Sequence, residues 1–289
     1  MFNKYQKILI IGAGPIVIGQ SAEYDYAAVQ ACEALREENI KVVVVNSNPA
    51  SISTDVGVAD SVYIEPLNID TVKRVILIEQ PDAIIPTLSG NIGFEIALEL
   101  HQNGFLEENG VKLLSVGFEA IQGLNKPEDF RTFLLGVNEP TITFTVADNI
   151  DDVISFARNT GLPVTIRPAY ESDEKNSKIC ADNQILLETS NMLLEDSYLH
   201  QVFVEKNIIG WKEINYEVMR DCAGNCISVS NMESIDPVGI HTGDSIIVAP
   251  AQTLTDEESL KLRSAALNII SGLSICGNCG IQFALNPVT

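Results

Sequence analysis

Two hydrophobic periods alternate along the first part of this chain. Short β-branched runs, KILIIGAG at 7–14, KVVVVNSNP at 41–49, VYIEP at 62–66, AIIPT at 83–87 and KLLSVG at 112–117, are spaced by longer amphipathic stretches. The stretches predict helices over Ala22 to Glu38, Asp70 to Glu79 and Ile92 to Gln102. Runs that are apolar throughout, rather than every second residue, belong to strands buried on both faces. Strand and helix in regular alternation therefore predict βαβ units and a doubly wound parallel sheet in an α/β domain.

The pattern changes after Gly123-Leu-Asn-Lys-Pro127. A helix near Asp129 to Leu135, a strand near Thr141 to Thr145 and a helix over Ile150 to Asn159 follow. Further on, Lys212 to Arg220 and Cys226 to Asn231 read as two strands joined by Asp-Cys-Ala-Gly-Asn, turn chemistry that predicts an antiparallel hairpin. Leu260 to Leu273 reads as a helix and Gly280 to Leu285 as a last strand. The expected organisation is a doubly wound domain over 1–123 and a mixed α+β domain over 124–289, with no internal repeat or low-complexity tract.

Composition narrows the functions open to this architecture. A length of 289 residues with 46% hydrophobic content supports two domains with real cores. Thirty-nine acidic against eighteen basic residues give a net charge of −21, which repels nucleic acid and anionic lipid, so neither is an expected partner. The apolar run after the amino-terminal lysines meets glycine too early for a secretory signal, and no apolar stretch reaches membrane-spanning length. Six irregularly spaced cysteines then read as reduced thiols, and the expected location is the cytoplasm.

Gly12-Ala-Gly-Pro-Ile-Val-Ile-Gly19 closes the first predicted strand, where helix-start amides can receive a phosphate. Its spacing misses the dinucleotide fingerprint, and Pro15 removes one amide that would face a pyrophosphate. Asn46 stands where a ribose-binding acid would be wanted, so the run reads as a tight structural turn.

Several stretches together resemble one family. GAGPIVIGQ at 12–20, ALREEN at 34–39, NSNPASISTD at 46–55, IIGWKE at 208–213 and above all GIHTGDSIIVAPAQTLTD at 239–256 are similar to the amino-terminal half of the carbamoyl phosphate synthetase large chain. The likeness covers essentially the whole chain. It implies a pre-ATP-grasp domain followed by an ATP-grasp domain. It also implies ATP-dependent phosphorylation of bicarbonate, the carboxyphosphate reacting with ammonia to give carbamate, towards carbamoyl phosphate for arginine and pyrimidine synthesis. Such chemistry rests on positioning the γ-phosphoryl group and neutralising its charge.

The same resemblance assigns roles to residues. His241, in His-Thr-Gly-Asp-Ser, matches the active-site histidine that handles bicarbonate or its phosphorylated product, and Gly243 in the same run falls among the ATP-binding positions. Arg167 matches the arginine aimed at the ATP phosphates, and Glu213 a glutamate near the ribose. Gln282 matches one metal-ligand position, for Mg²⁺ or Mn²⁺. Read without the family, His241 is a packed or surface histidine, Arg167 half of a surface salt bridge, and Glu213 a solvated strand carboxylate.

The chain also departs from the family pattern. The family follows Arg-Pro with a glycine flap over the phosphates, whereas here Glu171-Ser-Asp-Glu-Lys-Asn-Ser-Lys178 brings three carboxylates and no glycine. Lys175 and Lys178 offset that charge only in part. Phe130 stands where a phosphate-contacting arginine is expected, with Arg131 beside it, and Lys206 where an acid is expected, with Glu205 one position out of register. The glutamate and asparagine that complete the metal site are expected beyond Thr289, so the ATP-grasp domain reads as truncated. ATP and Mg²⁺ are the expected cofactors, weakened by these departures.

Two function classes stay open. One is a carbamoyl-phosphate-synthase-like ligase completed by another chain, a complementary large-chain fragment or a glutaminase small chain. The other is a non-catalytic relative that binds nucleotide or protein, with self-association at the edge of an unfinished sheet. A separate reading takes Cys222, Cys226, Cys276 and Cys279 as two half-sites for tetrahedral zinc, against ordinary buried or surface thiols.

Overall fold

The structure, a computed structural model, describes residues 5–15, 21–124, 127–169, 177–197, 200–240 and 245–287. The first strands are β1 (Lys7–Ile11), β2 (Lys41–Asn46), β3 (Ser61–Ile64), β4 (Ala83–Ile85) and β5 (Lys112–Leu113). They form one sheet in the order β3-β2-β1-β4-β5, with every neighbouring pair parallel. Helices α1 (Ser21–Glu37), α2 (Ile69–Glu79) and α3 (Asn91–Gln102) supply the crossovers.

Residue parity decides which helix covers which face. Ile8, Ile10, Val42 and Val44 pack with Ala28, Cys32 and Leu35 of α1. Leu9, Ile11, Val43 and Val45 pack with Val72, Val75 and Ile76 of α2 and Ile96, Ala97 and Leu100 of α3. Both faces of β1 and β2 are thus dry, which is why their sequences are apolar without alternation. Each such Val, Ile or Leu contributes roughly 1.5–3 kcal/mol by leaving water. The chain then continues through α4 (Phe105–Glu108), α5 (Phe118–Leu124) and α6 (Pro127–Gly136).

A second sheet has the order β6-β9-β7-β8, from β6 (Phe144–Ala147), β7 (Val164–Pro168), β8 (Lys178–Cys180) and β9 (Val202–Lys206). Its three ladders are all antiparallel. One face carries α7 (Ile150–Thr160) and α8 (Asn183–Asp196), with Val164, Ile166, Val202 and Val204 packed on Val153, Ala157, Leu186 and Leu193. Strand β6 begins later than the expected 141–145, because ladder pairing with β9 starts at Phe144 opposite Glu205.

The third sheet, β12-β11-β10-β13, contains the predicted hairpin: β10 (Lys212–Arg220) runs antiparallel to β11 (Cys226–Ser234), with Arg220 opposite Cys226. The turn closes on Asp221, whose carboxylate accepts from the amides of Ala223 and Asn225, while Gly224 takes φ 94°. Short β12 (Ile247–Val248) and long β13 (Gly277–Leu285) flank the hairpin, and α9 (Asp256–Gly272) starts on a capping box between Thr255 and Glu258.

Contacts divide the chain into two compact units. The first comprises Met1–Val137, Ile214–Asp236 and Ile240–Phe283, the second Asn138–Glu213, Pro237–Gly239 and Ala284–Thr289. Where sequence suggests a boundary at 123/124, the first unit extends to Val137 and gathers in the third sheet. The cause is a shared core in which Val116, Ala120 and Ile121 pack with Ile214, Tyr216 and Val218 of β10 and Leu262, Ala266 and Ile270 of α9. Among the described residues no helix is long and apolar enough to cross a membrane.

Candidate functional site

The glycine turn after β1 is closed from within. Gly14, at φ 72°, donates its amide to Asn46 Oδ1 at 3.0 Å, and Asn46 Nδ2 donates to Ser51 and Ser53. A Cβ on Gly12 would lie 2.8 Å from the Asn46 side chain. Asp25 accepts in turn from the Ser51 hydroxyl and from the amides of Ile52 and Ser53. Burial pushes the Asp25 carboxyl up, but these hydrogen bonds outweigh it and hold the group below its ordinary value. The buried Asn46 side chain takes the Gly14 amide that a phosphate would want.

Arg167 has a prepared seat on the face of the second unit's sheet that lies away from its helices. Because side chains alternate along a strand, Arg167, Phe203 and Phe144 leave the sheet opposite the helices. The Arg167 guanidinium lies 4.2 Å from the Phe203 ring centroid, and Phe203 stacks on Phe144 with centroids 4.8 Å apart. Stacking holds the planar group while leaving its in-plane donors unused. Arg167 makes no hydrogen bond or ion pair among the described residues. The aromatic platform was invisible from sequence, since no strand is predicted between 164 and 206 and the rings sit on separate strands.

Glu213 is the second residue of β10 and is 5% exposed, a buried carboxylate rather than a solvated one. Just before it, Gly210 donates to the Val238 carbonyl and Val238 to the Trp211 carbonyl, both at 2.9 Å. Gly239 follows at φ 111°, and a Cβ there would come within 3.1 Å of Ile209. The IIGWKE stretch and the stretch leading into His241 are thereby clasped together, although they lie far apart in sequence. His241 and Gly243 themselves lie outside the described residues, as do Glu171 to Asn176 of the flap. Of the flap's end, Lys178 is described, its ammonium 3.8 Å from Met192 Sδ.

Gln282 belongs to the first unit and is exposed on β13, where Ile281 and Phe283 turn towards the core. Its sheet face also presents Glu217, which accepts from Asn278 at 2.9 Å. Lys206 leaves β9 on the face opposite Glu205 and lies 5.4 Å from the Trp211 ring. Phe130 of α6 stacks against Phe133 at 6.4 Å.

The zinc reading is not supported by the geometry. Among the described residues no group of three or more His, Cys, Asp or Glu is placed to hold a metal. Cys226 and Cys279 pack against the core of the first unit, where burial, and after it the Glu217 carboxylate, pushes the Cys279 thiol up to about 11. Cys222 is exposed in the hairpin turn, and Cys276 lies by Arg220, whose Nη1 is 3.7 Å from its Sγ.

Residues 4–123 match the family described as carbamoyl phosphate synthase preATP-grasp domain, and residues 127–289 the carbamoyl-phosphate synthase L chain, ATP binding domain. Similar relatives include the carbamoyl phosphate synthase large chains of Agathobacter rectalis, 50% identical over 99% of this chain, and of Clostridium perfringens, 49% identical over 98%. The chain spans only 27% and 26% of the length of these two relatives. Among solved structures, the biotin carboxylase domain of Hydrogenobacter thermophilus 2-oxoglutarate carboxylase, in complex with MgADP, ADP and bicarbonate, has a TM-score of 0.75 at 18% identity. The match covers 98% of this chain and 61% of that one. Campylobacter jejuni biotin carboxylase, a β-γ-ATP complex, also gives 0.75 at 18% identity, over 98% of this chain and 63% of its own. At such identity these two structures speak for the fold alone.

Proposed function

The chain belongs to the carbamoyl phosphate synthase large-chain family, and from that premise we propose that it is a MgATP-binding half-site that phosphorylates bicarbonate. The match of residues 127–289 to the family's ATP-binding domain carries this reading. The residues present fit a nucleotide. Arg167 offers an unused donor fork for phosphate oxygens, and buried Glu213 offers a carboxylate acceptor for ribose hydroxyls. By the family resemblance Gln282 would offer a neutral oxygen to a Mg²⁺ or Mn²⁺ ion, whose charge would offset that of the phosphates. His241 would hold the bicarbonate-derived oxyanion, and Gly243 would let the backbone approach the nucleotide.

A second reading, a nucleotide-binding or protein-interaction subunit without turnover, draws on Phe130 and Lys206. Both are engaged in aromatic contacts where the family resemblance expects an arginine and an acid. A glutaminase small chain or a complementary large-chain fragment is the partner either reading calls for, with the cytoplasm as its place. The two readings part on ATP turnover. ADP release by the purified chain with Mg²⁺, measured with and without bicarbonate, is expected to rise with bicarbonate and to lose that rise in His241→Ala. Binding of ATP with no bicarbonate-dependent release would establish the second reading instead.

A further inference from the structure

Between Gly161 and Gly210 the chain contains no glycine, so this stretch lacks the bare backbone by which a glycine loop closes on phosphate. The grip on an anion then falls to cationic side chains, and a long side chain binds well only if binding costs it little freedom. Arg167 meets that condition through its neighbours. By ladder register Phe203 is its direct partner on β9, and Val146 of β6 stands directly opposite Phe203, so the three leave one face of the sheet. Phe203 and Phe144 are both buried, at 5% and 8% exposure. Their rings stack at 4.8 Å and 26°, and the guanidinium carbon of Arg167 lies 4.2 Å from the Phe203 centroid. One face of the guanidinium is thus taken by the ring, while its N–H donors remain in its plane.

We propose that Phe203, backed by Phe144, is a positioning residue that holds the Arg167 guanidinium as a preformed fork for the phosphate oxygens of a nucleotide. The ligand in this inference rests on the nucleotide reading above, whereas the seat is a property of the free chain. The attraction is electrostatic: the negative face of the ring meets the cation, which a saturated side chain of similar bulk does not offer. Because Phe203 is buried, water is kept from that face and the cation stays over it instead of moving among its rotamers. Phe144 fixes the plane of Phe203 by stacking on it. A phosphate group then meets donors already aligned, and the ordering cost that an arginine otherwise brings to binding is removed beforehand.

Two readouts on the full chain separate the seat from its ligand. By NMR without nucleotide, the Arg167 Nε–Hε resonance, identified by its loss in Arg167→Ala, is expected to be shifted upfield by the ring current and to report an ordered side chain. Phe203→Leu is expected to return it to the position and mobility of a solvated arginine, and Phe203→Tyr to keep it. By calorimetry, MgATP affinity is expected to fall roughly 3- to 30-fold in Phe203→Leu and to be kept in Phe203→Tyr, both compared where urea unfolding shows them folded. An Arg167 resonance at its ordinary position in the parent chain overturns the proposal with no variant needed. So does MgATP binding of equal strength in Phe203→Leu and the parent. A shifted, ordered resonance in a chain that binds no MgATP upholds the seat and removes the nucleotide reading.

Discussion

At the scale of single residues, Asn46 and Asp25 hold the chain after β1 in place, Asn46 by taking the Gly14 amide and Asp25 by accepting from Ser51, Ile52 and Ser53. The departure of Gly12-Ala-Gly from the dinucleotide spacing was readable from Pro15 and Asn46, and the buried Asn46 side chain occupies the Gly14 amide. The seat of Arg167 was not readable, because Phe203 and Phe144 reach it only through β-ladder register. The Asp25 network gives a pH prediction. Its carboxyl titrates lower in the folded chain than in the unfolded one, so the unfolded state takes up the proton first as pH falls. The resulting stability is fully present above the unfolded value of 3.8 and is lost as pH drops through the folded value. Urea unfolding of Asp25→Asn is expected to show a loss of about 1–3 kcal/mol at neutral pH and a shallower acid decline than the parent. A parallel acid profile in both proteins would remove Asp25 from this role.

At the scale of elements, strong periodicity and turn chemistry carried the reading. Strand β10 and helices α2, α3 and α7 fall within a residue or two of expectation, since each has a cap, a turn or a continuous apolar face that acts locally, while β11 runs three residues past it to Ser234. Strands β7, β8 and β9 were missed because they are three to five residues long and stabilised by partners distant in sequence. One buried carboxylate now stands out at the end of β11. Glu233 is 5% exposed and accepts from the amides of Gln252 and Thr253, each at 3.0 Å, and from the Thr253 hydroxyl. It fixes the Ala-Gln-Thr segment that leads into the capped start of α9. Glu233→Ala orphans those donors and is expected to lower stability by about 3 kcal/mol, read as an earlier urea midpoint. An unchanged midpoint would mean the segment is held by other contacts.

At the scale of the whole molecule, the two-part plan was legible as a change of pattern near Pro127, but the return of Ile214–Asp236 and Ile240–Phe283 to the first unit was not. That return depends on Ile214, Tyr216 and Val218 finding Val116, Ala120 and Ile121, a tertiary match that no local signal encodes. The proposed function requires that this scaffold present a nucleotide site with Arg167 as its phosphate anchor. Calorimetric titration of the chain with MgATP, repeated on Arg167→Ala, tests it most directly. Saturable binding weakened roughly 10- to 100-fold by the substitution is the predicted result, the range expected for losing a charge-assisted bidentate contact. No binding at millimolar MgATP, or equal affinity in both proteins, would contradict it.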